Sequence, residues 1–210
     1  MTIVTCDGHS YDEELLPEGG WALDVGARCF KFSNHMARMG MHVIALEPDR
    51  SVEYEGSRDI RMLNLAMVGT PGFSDAMYAG WGDGSGNHLT GERPEHAETY
   101  YSVPCLSIGS VMASHRVKQF DIVKLDCEGS EYDILWNWPR HAAVQISVEF
   151  HDFLGLRPRD SFYDELFAGP LRDYEIVRHE WRPLCAENPV MNYWDSLFIL
   201  RPEFRRTPSA

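Results

Sequence analysis

Apolar residues come in short runs that alternate with amphipathic stretches through most of the chain. Trp21-Ala22-Leu23 leading into Asp24-Val25-Gly26 reads as a first buried strand that enters a tight turn. Phe32, Met36 and Met39 then recur at helical spacing, with Gly40 placed to end the helix. Met41 to Glu47 is a second strand that finishes at Pro48-Asp49. Ile60 to Val68 is a third, broken by Gly69-Thr70-Pro71-Gly72. Phe120 to Asp126 and Ala143 to Phe150 supply a fourth and a fifth. Between these two, Ser130 is placed to cap a helix whose Tyr132, Leu135 and Trp136 share a face, with Pro139 stopping it. Ser161 to Phe167 reads as a further helix. Tyr174–Val177 and Asn192–Leu200 are two late runs able to close as an antiparallel pair across the Pro183–Pro189 turn region.

Strands alternating with helices predict an α/β fold with a mostly parallel sheet covered on both faces, a doubly wound arrangement. No repeat or low-complexity linker divides the chain, so residues 1–210 are expected to form a single domain. Residues 1–20 read as an N-terminal extension, and the glycine-rich stretch within 79–99 as an irregular loop.

Composition narrows the function. The chain is 44% hydrophobic and 24% charged, ordinary for a globular protein, and its formal net charge is −13. A nucleic-acid partner needs clustered Lys and Arg, so none is expected. No apolar run reaches the ~18 residues that span a bilayer, so no membrane partner is expected either. The N-terminus lacks a basic segment followed by an apolar one, which makes the cytoplasm the expected location. The five cysteines are widely spaced without a Cys-x-x-Cys, the pattern of reduced thiols rather than of a zinc site or disulfide framework.

In an open parallel sheet ligands bind beyond the carboxyl ends of the strands, so the residues that close each strand carry the chemistry. The first strand ends in Asp24 and Gly26. The second ends in Glu47, an acid able to accept hydrogen bonds from both hydroxyls of a ribose. The fourth ends in Asp126 with Glu128 just beyond, and the fifth in Glu149 with His151 two positions on. Acids gathered at the ends of several strands suit proton transfer. They also suit a divalent cation held by Asp126, Glu149 and His151, although no metal is expected.

The segments Leu23-Asp24-Val25-Gly26-Ala27, Ala45-Leu46-Glu47-Pro48, Val123-Lys124-Leu125-Asp126-Cys127-Glu128-Gly129-Ser130-Glu131 and Val148-Glu149-Phe150-His151 together resemble the FkbM-like family of class I S-adenosylmethionine-dependent methyltransferases. The Lys-x-Asp-x-Glu-Gly-x-Glu element is the most specific of them. The resemblance implies a Rossmann-like sheet of seven strands with the last one antiparallel. It implies S-adenosylmethionine as cofactor and O-methylation of a hydroxyl on a small metabolite or sugar. It further implies cofactor contacts from Asp24, Gly26, Ala27, Ser33 and Glu47, with Asn64 and Ala66 near the adenine. The chemistry falls to Asp126, Glu128, Glu149 and His151, with His151 or Asp126 as the expected proton acceptor.

The chain departs from the family pattern after Ala27. Arg28 stands where an asparagine is usual and Phe30 where a second glycine is usual. Arg28 could offer a fork to the cofactor carboxylate, and Phe30 must either turn under the helix or crowd the methionine tail. The departure leaves a catalytically impaired cofactor-binding module as an alternative. A nicotinamide-dependent oxidoreductase is a more distant one, since it does not explain residues 124–131. The identity of the acceptor and the oligomeric state stay open.

Overall fold

The computed structural model describes residues 1–70, 72–80, 87–151, 162–183 and 192–205. In chain order its elements are β1 (Ile3–Cys6), β2 (His9–Asp12), a 3-10 turn (Glu13–Leu15), β3 (Trp21–Val25), α1 (Lys31–Arg38), β4 (His42–Leu46), β5 (Ile60–Leu63), β6 (Ala66–Met67), β7 (Phe73–Gly80), β8 (His88–Leu89), β9 (Thr99–Leu106), α2 (Ile108–His115), β10 (Phe120–Leu125), α3 (Glu131–Trp136), β11 (Ala143–His151), α4 (Phe162–Ala168), β12 (Tyr174–Pro183), β13 (Asn192–Leu200) and a closing 3-10 turn (Pro202–Phe204).

A 7-stranded sheet in the order β12-β13-β11-β10-β3-β4-β5 forms the frame. Strands β11, β10, β3, β4 and β5 run parallel, while β13 is antiparallel to both β11 and β12. The sheet is therefore mixed but mostly parallel, and the last strand of the chain is the reversed one. Its central strands are buried on both faces, which is why they read as continuous apolar runs rather than alternating ones. Leu23, Val25, Ile44, Leu46, Val123 and Leu125 face Ile108 and Val111 of α2, Ile134 and Leu135 of α3, and Leu166 of α4. Their neighbours Ala22, Val43, Ala45 and Ile122 face Phe32 and Met36 of α1 and Tyr11 of β2. The period of two along each strand sends successive side chains to these two cores.

Several expectations require correction. Ile60 to Val68 is not one strand: β5 closes the edge of the main sheet, and β6 belongs to a separate 4-stranded sheet in the order β6-β9-β7-β8. This small sheet encloses its own core of Ala66, Tyr78, Val103 and Cys105. Of the described residues in the stretch 79–99, Ala79, Gly80, His88, Leu89 and Thr99 belong to its strands and 90–98 form turns and loop; residues 81–86 lie outside the described residues, as do Ser161 and most of the Pro183–Pro189 turn. In α3 the inward face carries Ile134 and Leu135, whereas Trp136 is 45% exposed, and the Ser130 side chain makes no capping hydrogen bond. The N-terminal segment is a β1–β2 hairpin seated on the main sheet: Asp12 N–H donates to Gln145 Oε1 at 2.7 Å and Gln145 Nε2 donates to the Asp12 carbonyl at 3.1 Å. Among the described residues no helix is long and apolar enough to cross a membrane. The cysteines described, Cys6, Cys29, Cys105 and Cys127, are free thiols; Cys185 lies outside the described residues.

Candidate active site

A cavity of about 350 Å³ opens at the carboxyl ends of β10, β3 and β4 and beyond β5. Its floor begins at the turn after β3. Gly26 adopts φ +78° there, and a Cβ on it would lie 1.7 Å from the Asp126 carbonyl oxygen. Only glycine satisfies both the left-handed backbone and that approach. The N–H groups of Gly26 and Ala27 donate to the Leu46 carbonyl at 3.0 and 3.1 Å, which ties the turn to β4.

Beneath the turn lies a buried charge network. Lys124 Nζ sits 3.0 Å from Asp24 Oδ1 and 3.4 Å from Asp126 Oδ2, and donates to the Gly26 carbonyl at 2.7 Å. Ser33 Oγ donates to Asp24 Oδ2 at 2.6 Å. Burial works against the lysine's charge, but Asp24 and Asp126 hold its pKa above the usual lysine range. Burial likewise opposes ionisation of Asp126, and Lys124, His9 and His151 overcome it, leaving that carboxyl well below the usual carboxylate range. Asp24, Ala27 and Ser33 thus shape the turn from below and are not among the described residues lining the cavity, whereas Gly26, Arg28, Glu47 and Ala66 line it. Asn64 is exposed, its amide donating to the carbonyls of Asp49 and Val52, both at 3.4 Å.

The departure after Ala27 has a clear geometry. Phe30 takes φ +53° and turns away from the cavity into the core under α1, its ring 4.6 Å from that of Tyr54. Arg28 reaches the cavity wall, with Nη1 3.5 Å from Asp49 Oδ2. Glu47 is buried, its Oε1 accepting the Asp49 N–H at 2.8 Å, and burial pushes its pKa up to about 7.

At the other end the loop after β10 gathers the acids. Glu128 holds φ +54°, and the wholly buried Glu131 at the start of α3 accepts the N–H groups of Cys127 at 2.7 Å and Gly129 at 2.9 Å. The carboxylate satisfies two N–H groups of the loop that leads into α3. Glu131 Oε1 also bonds His151 Nδ1 at 3.0 Å. The opposite ring nitrogen of His151, Nε2, lies 3.7 Å from Asp126, 3.5 Å from Glu128 and 3.4 Å from Glu149. Burial disfavours a charged imidazole, but these carboxylates, Glu131 foremost, hold its pKa well above the ordinary histidine value. Glu128 is pushed up to about 7, chiefly by burial, with Asp126, Glu131 and Glu149 adding to it and His151 opposing. Asp126 and Glu128 line the cavity; Glu149 and His151 stand behind them. Asp126, Glu128 and His151 each present one ligand atom, all within 4.8 Å of one another, a spacing in which a divalent cation would fit.

Some of the lining was not foreseen. Tyr78, His88 and Leu89 of the small sheet and Asn87 just before β8 wall the cavity, with the Asn87 amide donating to the Tyr78 hydroxyl at 2.8 Å. That sheet is braced on the loop after β4 by Arg50, whose guanidinium lies 4.7 Å from the Tyr101 ring centre and donates to the Ser102 carbonyl at 2.6 Å. The N-terminal hairpin adds Asp7 to the lining and places buried His9 with Nε2 3.5 Å from Asp126 Oδ2. Its signal was the Asp7-Gly8 dipeptide between two short runs of strand-forming residues, the signature of a two-residue hairpin turn.

The sequence model described as the methyltransferase FkbM domain matches residues 24–169. No curated protein matches the sequence. Among solved structures, the chain is similar to the N-terminal domain of EvdMO1, solved in the presence of SAH and D-fucose (TM-score 0.48, 10% identity, covering 90% of this chain and 79% of that one). It is also similar to a TehB-like SAM-dependent methyltransferase from Corynebacterium glutamicum (TM-score 0.41, 11% identity, 90% and 84%). A protein assigned as a hemolysin from Streptococcus thermophilus is matched at TM-score 0.46 and 10% identity over 88% of this chain, which spans only 60% of that protein's length. None of these three reaches a TM-score of 0.5, too slight a likeness to carry a functional inference.

Proposed function

The chain belongs to the FkbM methyltransferase family, and from that premise we propose that it transfers the methyl group of S-adenosylmethionine to a hydroxyl of a small metabolite or sugar. The observation that carries the reading is the single cavity joining the Gly26 turn and Glu47 to Asp126 and Glu128. Its chemistry fits the cofactor: a buried acid for ribose hydroxyls, Leu65, Ala66, Met67 and Leu89 for a flat base, and carboxylates near a cationic sulfonium. When bound, S-adenosylmethionine supplies an electrophilic methyl group open to in-line attack, so positioning provides much of the rate. Phe30, the main reason to consider an impaired module, packs outside the cavity and leaves that alternative without a specific observation in its favour.

The acceptor hydroxyl must lose a proton. The carboxylates around His151 favour its protonated form, which makes it a poor proton acceptor, and Asp126 is a weak base with its pKa held down. Glu128, tuned near neutrality and lining the cavity, is the proton acceptor we assign. His151 orients Glu128 and Glu149, and Glu131 fixes His151. Radiolabelled methyl transfer to a panel of hydroxylated metabolites tests the activity. Glu128→Gln should cut turnover about 100-fold while S-adenosylhomocysteine binds as before, because a general base contributes roughly that much. Full turnover in this variant would remove Glu128 from the role. Exhaustive chelation should leave turnover unchanged, and a loss restored by magnesium would move the proton transfer to a bound metal.

Glu47 gives a pH signature. Its carboxylate accepts ribose hydroxyls and its protonated form does so less well, so affinity for S-adenosylhomocysteine should rise with pH up to about 7 and level off above it. Binding near pH 6 should release a proton, read by calorimetry in buffers of different ionisation enthalpy. Glu47→Gln should flatten the pH dependence.

A further inference from the structure

The hairpin ahead of the family-matched residues 24–169 is built into the site, and its turn faces the ligand. Asp7 occupies the left-handed position of the Asp7-Gly8 turn, with φ +51° followed by +86°. Its side chain lines the cavity beside Arg28 and Cys29. The turn is held from every side. Buried His9 reaches Asp126 through one ring nitrogen and stands 3.5 Å from Ser147 Oγ through the other. Asp12 is locked to Gln145. Arg178 Nη1 donates to Ser10 Oγ at 2.7 Å. Asp7 itself accepts from Lys31 Nζ at 3.0 Å and from the Cys29 thiol at 3.4 Å.

Sheet order sets the sequence of walls that a nucleoside cofactor would meet along the cavity. Glu47, at the end of β4, marks the ribose. The apolar residues Leu65 to Met67 lie beyond β5 on one side of it. The Gly26 turn, Asp126 and the hairpin lie on the other, toward β10. An adenosine directed toward β5 leaves its 5′ substituent directed toward Asp7. We infer that the β1–β2 hairpin closes the amino-acid end of the cofactor site and that the Asp7 carboxylate receives the α-ammonium group of the cofactor. This rests on the methyltransferase reading above. It also explains why a partly exposed carboxylate is carried on a turn so firmly anchored, since a site for a charged group gains affinity from being preformed.

Two ligands that differ only at that end provide the test. The full chain is titrated calorimetrically with S-adenosylhomocysteine, which carries the ammonium and carboxylate, and with 5′-methylthioadenosine, which lacks both. Asp7→Asn keeps a residue that tolerates the left-handed turn and removes the charge. The variant is expected to bind S-adenosylhomocysteine about tenfold more weakly, the scale of one hydrogen bond between charged groups, and methylthioadenosine within about twofold of the parent. Glu14→Gln, on the outer side of the same segment and paired with the N-terminal amine, should change neither. Asp7→Gly should repeat the selective loss without any side chain to distort the turn. Unchanged affinity for S-adenosylhomocysteine in both Asp7 variants overturns the inference. An equal loss for both ligands overturns it too, because it would mark the hairpin as scaffold alone. A parent chain that binds neither ligand overturns the methyltransferase reading and this inference with it.

Discussion

Gly26→Ala is expected to abolish detectable binding of S-adenosylhomocysteine while leaving most of the fold assembled. The added methyl would sit 1.7 Å from the Asp126 carbonyl oxygen, a backbone atom at the end of β10 that cannot rotate away. The φ of +78° adds roughly 1–2 kcal/mol of strain for an L-residue. Relief requires the β3 turn and the β10 loop to part, and these carry the Gly26 and Asp126–Glu128 walls of the same cavity. The loss should therefore exceed that of any single lining side chain. Circular dichroism with ligand titration checks it: a native spectrum without saturable binding is the expected pair, and native-like affinity would show that the two loops are not in the contact described.

Lys124→Met should be the most destabilising single change at the site. It removes the buried cation between Asp24 and Asp126 and leaves their carboxylates uncompensated. Breaking one partner of a buried ion pair costs about 3–5 kcal/mol. For a chain of this size that lowers Tm by roughly 10 °C or more. The sign with pH follows from Asp126. Its folded pKa lies below the unfolded value of about 3.9, so its contribution to stability is present above that pH and lost as pH falls through the folded value. Without Lys124 the Asp126 carboxyl protonates at higher pH. The stability gap between parent and variant should accordingly be widest near neutrality and narrow toward pH ~4. Chemical denaturation across that range measures it, and a gap independent of pH would mean that packing of the lysine stem, not its charge, is what the variant loses.

The main sheet was readable because its strands are buried on both faces. Trp21–Val25, His42–Leu46, Phe120–Leu125 and Ala143–His151 are short, predominantly apolar runs, and an acid stands at or just past the carboxyl end of each: Asp24, Glu47, Asp126 and Glu149. The acids at those ends were legible for the same reason. The small sheet was hidden by its half-exposed, mixed strands: Phe73–Gly80 and Thr99–Leu106 interleave Ser, Asp, Thr and Tyr with few long apolar residues. The third strand was drawn too long because Leu65 and Met67 extend the apolar pattern of Ile60–Leu63 into a different sheet. The face of α3 was misplaced by one position, since its start is governed by the Glu131 carboxylate on the loop N–H groups, which no periodicity reports.

Side-chain partners were harder to foresee than strand ends. Asp24 at the end of β3 and Ser33 in α1 flank the right turn but bond to each other, with Asp24 also paired to Lys124, and neither lines the cavity. The contributions of Asp7 and His9 required knowing that residues 3–12 return to the sheet next to β11, a long-range contact with only the short Asp-Gly turn to announce it.

The most direct measurement of the central claim is a calorimetric titration of the full chain with S-adenosylhomocysteine, repeated on Glu47→Ala. Saturable binding of one equivalent, strengthening as pH rises to about 7 and weakened in the variant, is the predicted result. Absence of binding to the parent chain, or undiminished binding to Glu47→Ala, would contradict the assignment of this cavity to the cofactor.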